Sequence, residues 1–66
     1  MKVTCQLTGK DGNAFAIMGR VKTALEQAKV SKEVIDGYLS EAMSSDYNHL
    51  LSVSVLCLET NGIEVI

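Results

Sequence analysis

The chain opens on an alternation. Val3, Cys5 and Leu7 are apolar and interleave with Thr4, Gln6 and Thr8, a period of two that predicts a strand over residues 3–7 with one dry face. Gly9, Lys10, Asp11, Gly12 and Asn13 then supply two glycines and two turn formers, which stop the strand. The period changes at once to that of a helix. Ala14, Ile17, Val21, Ala24 and Ala28, with Met18 and Leu25, form an apolar stripe, and Asn13 or Asp11 can cap its first turn. Lys22 and Glu26 lie one turn apart off that stripe.

Ser31 predicts the cap of a second helix, with Glu33 placed where the helix dipole favours negative charge. Val30 and Ile35 stand where a hydrophobic staple would fix the turn. Val34, Ile35, Tyr38, Leu39, Ala42 and Met43 continue an inward stripe. Gly37 interrupts it at a cost of about 1 kcal/mol relative to Ala, which suggests a close backbone approach there. The short connection predicts an αα-hairpin.

The next stretch fits two structures. Ser44, Ser45 and Asp46 offer a cap, and residues 47–58 then read as a third helix ended by Gly62. Leu51, Val53, Val55 and Cys57 also alternate with Ser52 and Ser54, as a strand would, and Asn61-Gly62 would then turn a C-terminal β-hairpin. The expectation adopted is an α+β domain in the order β-α-α-α-β, with residues 63–66 forming a strand beside residues 3–7. The C-terminal hairpin is the alternative.

Two stretches carry a resemblance. Asp11-Gly12-Asn13-Ala14-Phe15 after the opening strand, and Ser45-Asp46-Tyr47-Asn48-His49-Leu50-Leu51 after the second helix, resemble a family of short uncharacterised proteins of bacteriophages, prophages and mobile elements. The spacing of the two motifs and Lys32-Glu33-Val34-Ile35-Asp36 between them are also similar, so the likeness covers residues 3–58. Ser52–Val55 departs from the family's more ordinary helical pattern. The resemblance implies a mobile-element accessory protein working in a bacterial cytoplasm, with no activity and therefore no catalytic residue to carry over. It also favours the third helix.

Composition narrows the classes of function. The 66 residues suffice for one domain, 47% are hydrophobic and 21% charged, and no apolar run approaches the length of a membrane span. Cys5 and Cys57 have no metal-ligand spacing and are expected as reduced core thiols, with a bridge between them only in an exported protein. Neither a metal nor another cofactor is expected. All six basic residues lie in the first 32 positions beside Asp11 and Glu26, a balance of +4, whereas residues 33–66 carry six acids and no base, a balance of −6. The halves should attract each other, and an isoelectric point near 5.1 speaks against nucleic acid as a partner.

Candidate chemistry is sparse. Lys10, Asp11, Gly12 and Asn13, leading into a helix start, are the candidates for contact with a small anion such as a nucleotide; Asp11 opposes that contact. Tyr47 and His49 join them as ligand-contact candidates at the start of the third helix. One histidine and scattered acids assemble no nucleophile, base and stabiliser, so no enzyme is expected. Phe15, Met18 and Met43 are expected as core fillers. In a helical third segment the apolar residues cover most of the circumference, more than so short a chain can hide. Val53, Leu56 and Leu58 are therefore expected at an interface, preferably of a homodimer. The functional expectation is a small protein-binding module, directed against host defence or regulation; sequestration of a small anion at the 9–13 loop is the alternative.

Overall fold

A computed structural model describes residues 2–7 and 12–66. The elements run β1 (Thr4–Cys5), α1 (Ala14–Gln27), α2 (Lys32–Ala42), α3 (Tyr47–Thr60) and β2 (Glu64–Val65), which is the expected α+β order. The two strands pair in parallel, Thr4 opposite Glu64 and Cys5 opposite Val65, so the three helices form the crossover between them. Backbone bonds extend the pairing beyond the strands proper, from Glu64 N to Val3 O (3.1 Å), Ile66 N to Cys5 O (2.9 Å) and Leu7 N to Ile66 O (3.4 Å). Lys2 and Glu64, an exposed pair at 2.6 Å, join the basic and acidic ends of the chain at the same place.

Each helix starts on a side-chain cap, and α1 and α3 stop on backbone bonds. Asn13 accepts from Phe15 N, Ser31 from Val34 N and Asp46 from His49 N, so all three starts use the caps legible in the sequence. Two stops share one geometry. Ile63 N donates to Leu58 O and Gly62 N to Glu59 O, with Gly62 at φ +75; Val30 N donates to Leu25 O and Lys29 N to Glu26 O, with Lys29 at φ +61. Both are Schellman closures, one built on the residue that tolerates a left-handed backbone and one on a lysine that does not.

The core contains Cys5 and Leu7 from the β1 segment, Ile17, Val21 and Leu25 from α1, Ile35 and Tyr38 from α2, Leu50 and Leu58 from α3, and Ile63. Val30 and Ile35 both pack on it, as a staple requires. α3 is the hub, packed against α1, α2 and β2. That placement explains its composition, because a helix with three neighbours needs an apolar arc wider than one stripe. Leu51, Val53, Val55 and Cys57 are half-buried around Leu50, Ser54 and Leu58. The Asn61-Gly62 signal is thus spent on a helix end: Asn61 has φ −97, and its Nδ2 folds back to donate to Cys57 O at 2.7 Å.

Three expectations about packing are corrected. Phe15 and Met43 are not core residues but stand 75% and 60% exposed, because Phe15 sits in the first turn of α1 and Met43 is the C-cap of α2, beyond the faces those helices bury. Val34 is likewise exposed. Gly37 meets no close backbone: a Cβ there would have nothing within 4 Å.

Candidate functional site

The two sequence motifs meet in space. Tyr47, first residue of α3, donates its hydroxyl to Gly12 O at 2.6 Å across 35 positions. The bond holds the approach to α1 against the start of α3, and α2 closes the third side. Between them lies an apolar cleft of about 350 Å³. Met18, Ala42 and Leu50 line it from the core side, and Phe15, Met43 and Tyr47 stand exposed around it. Asp46 is its one charged lining residue among those described, and one oxygen of that carboxylate already accepts the His49 amide at 2.8 Å.

The predicted contact residues fall into separate places. Gly12, Asn13 and Tyr47 come together as described, and the Asn13 side chain is occupied in capping Phe15 N at 2.9 Å. Lys10 and Asp11 lie outside the described residues. His49 turns away from Tyr47: its Nε2 lies 2.9 Å from Glu41 Oε2 and 3.4 Å from Ser44 Oγ, and so ties the end of α2 to the first turn of α3. Sequence reading did not place Phe15 and Met43 here. Their signal was present, because each occupies a helix terminus, where an apolar stripe no longer guarantees burial.

Ser44, His49 and Glu41 have the composition of a hydrolytic triad but not its geometry. A relay uses both ring nitrogens, one for the nucleophile and one for the acid. Here both contacts fall on Nε2, and the Ser44 hydroxyl is held at 2.7 Å by Glu41 O. Among the described residues, no group of three or more His, Cys, Asp or Glu side chains is placed to hold a metal ion, and no helix is long and apolar enough to cross a membrane.

The expected interface residues also separate. Leu56 is 67% exposed and Val53 is half-buried, but Leu58 is 0% exposed and belongs to the core, because it lies one turn beyond Ser54 on the most enclosed face of α3. Most of the apolar surface that favoured a homodimer is therefore taken up by the chain's own α1, α2 and β2.

Both thiols are free. Burial pushes the Cys5 thiol above its ordinary value, with the Arg20 charge opposing, and burial raises Cys57 as well, with a hydrogen bond from Asn61 opposing. A raised value leaves less of the thiolate, the form that reacts.

Comparison with known proteins returned no significant match, whether to a family model, a curated protein or a solved structure.

Proposed function

We propose that this chain is a non-enzymatic binding module whose cleft between α1, α2 and α3 accepts an apolar side chain of a protein partner. One observation carries the reading. Phe15 and Met43, two large apolar side chains at helix ends, stand in solvent around a cleft with an apolar floor. Exposed aromatic and methionine side chains around a concave apolar surface are the usual composition of a protein contact. The Tyr47–Gly12 bond supports the reading further, because it fixes the cleft's shape before any partner arrives. A phage or mobile-element accessory role in a bacterial cytoplasm, against host defence or regulation, is the biological form that the motif resemblance suggests.

The test is affinity capture from bacterial lysate with the wild-type chain, with Phe15→Ser plus Met43→Ser, and with Lys22→Glu as a control outside the cleft lining. A partner retained by wild type and the control but lost by the cleft variant, at an unchanged unfolding midpoint, is the expected outcome. Capture that is the same for all three, or that fails with Lys22→Glu alone, refutes the cleft as the contact.

A further inference from the structure

A second surface lies on another part of the molecule. Among the described residues β1 has one strand neighbour, β2, and α1 packs beside it. The ladder bonds identify the backbone groups that use the inner edge. Val3 O and Cys5 O accept from Glu64 N and Ile66 N, and Leu7 N donates to Ile66 O, so the odd residues pair with β2. Alternation along an extended chain then aims the backbone N–H and C=O of Thr4 at the outer edge. Edges of this kind pair readily with another extended chain unless they are covered or blocked.

At Thr4, which is exposed, no described residue covers the outer edge, whereas Gln6 O farther along is taken by Arg20. Between it and α1 runs an open groove of about 580 Å³, with Thr4 and Gln6 on the strand side and Ala16, Gly19, Arg20 and Thr23 on the helix side. The helix side is low here: a Cβ built on Gly19 meets nothing within 4 Å. Arg20 lies at the end of the strand, its Nε donating to Gln6 O and its Nη2 to Leu7 O, both at 2.8 Å. A guanidinium carries five N–H donors in a rigid fork, so three remain beyond those two bonds. Arg20 is also the one charged side chain among the described residues lining the groove. The groove therefore offers backbone pairing at Thr4 along one wall and a positioned cation, with no acid lining it among the described residues.

We infer that this groove binds an extended peptide segment of a partner protein, which pairs with the backbone of Thr4 and presents an aspartate or glutamate side chain to Arg20. A carboxylate matches the guanidinium fork better than any other side chain does. An internal acidic residue fits better than a chain end, since capture of a C-terminus uses a nest of backbone amides, whereas the anion recogniser here is a side chain. Among the described residues the surface shares no lining residue with the apolar cleft, and the inference stands whether or not that cleft binds anything.

The test uses isotope-labelled full-length chain, titrated with a capped peptide of alternating threonine and valine carrying one central glutamate. Its companions are the same peptide with glutamine at the centre and a version N-methylated on alternate backbone nitrogens. Amide signals of Thr4 and Gly19 and the Arg20 side-chain Nε–H should shift with the glutamate peptide. Affinity should fall about fivefold with glutamine, the loss of one partly exposed ion pair, and further with the methylated backbone. Gly19→Leu, which fills the groove from a position with room for a side chain, should abolish the shifts without lowering the unfolding midpoint. Arg20→Lys should weaken binding while keeping the charge. Equal binding of the glutamate and glutamine peptides, shifts that survive Gly19→Leu, or shifts centred on Phe15 and Tyr47 each overturn the inference. Thr4 shifts that depend on protein concentration without peptide also overturn it, by showing that a second copy takes the edge.

Discussion

The most exposing test of the packing is to take apart the buried polar contact between Tyr38 and Ser54 in the core. Ser54 is 0% exposed in the middle of α3, and its Oγ donates to Leu50 O at 2.7 Å. Its single proton is thereby used, so the 2.7 Å contact with Tyr38 Oη has the tyrosine as donor and the serine as acceptor. Ser54→Ala leaves the Tyr38 hydroxyl buried without an acceptor, a cost of about 1–3 kcal/mol, from which the better helix propensity of alanine returns about 0.5 kcal/mol. A net loss of about 1.5 kcal/mol is large against the roughly 3–10 kcal/mol expected for a chain of this length. It corresponds to a fall of about 6–12 °C in the unfolding midpoint. Tyr38→Phe removes the donor and leaves Ser54 its bond to Leu50, so it costs only the hydrogen bond itself, about 1 kcal/mol. The double variant has no orphaned group. It should be more stable than the sum of the two losses predicts, by about 1 kcal/mol, which exceeds the scatter of independent sites. Urea unfolding followed by circular dichroism, with m checked for constancy, gives all four corners of the cycle. Additive losses, or a Ser54→Ala variant as stable as the wild type, would refute the reasoning.

Further outcomes follow from particular backbone and side-chain environments. Gly19→Ala and Gly37→Ala should each raise the unfolding midpoint, by up to about 1 kcal/mol of stability, because both sit inside helices with open space at the Cβ position; a fall in either variant would show an unseen contact. Lys29→Gly should stabilise by about 1 kcal/mol and Gly62→Ala should destabilise by a similar amount, since both positions are left-handed; thermal scans of the pair read the two signs side by side. Stability should fall as the solution becomes alkaline. Burial raises Cys5 and Cys57 above the ordinary thiol value of 9.0, so above it the unfolded chain binds fewer protons than the folded one, and ΔG of unfolding declines with pH. That stabilisation is present in full at neutral pH and is lost as pH rises through the raised values. Urea midpoints measured from neutrality to pH ~10 should drop, with a shallower slope in Cys5→Ala plus Cys57→Ala. An equal slope would assign the decline to other groups, of which Tyr38, also raised by burial, is the first candidate.

Sequence alone determined the parts of this fold that rest on local chemistry. The caps at Asn13, Ser31 and Asp46 mark all three helix starts, because a short polar side chain before an apolar period has one inexpensive way to satisfy free amides. The alternation ending at Leu7 and the stripe through Ile17, Val21 and Leu25 chose the buried faces for the same kind of reason, a period matched to a backbone. Residues 51–58 were different. Serine and valine are poor helix formers, and the segment is helical because α1, α2 and β2 pack around it and because Tyr38 gives the Ser54 oxygen a donor from another element. The same cause withdrew Leu58 from the expected interface. Only the tertiary structure brought Tyr47 to Gly12 and left Phe15 and Met43 in solvent, since contacts between distant residues and exposure at helix ends depend on how elements dock and leave no period in the chain. The groove beside β1 is the same kind of fact: an edge exists only once the strand order is known, and Arg20 lies there because α1 packs beside β1.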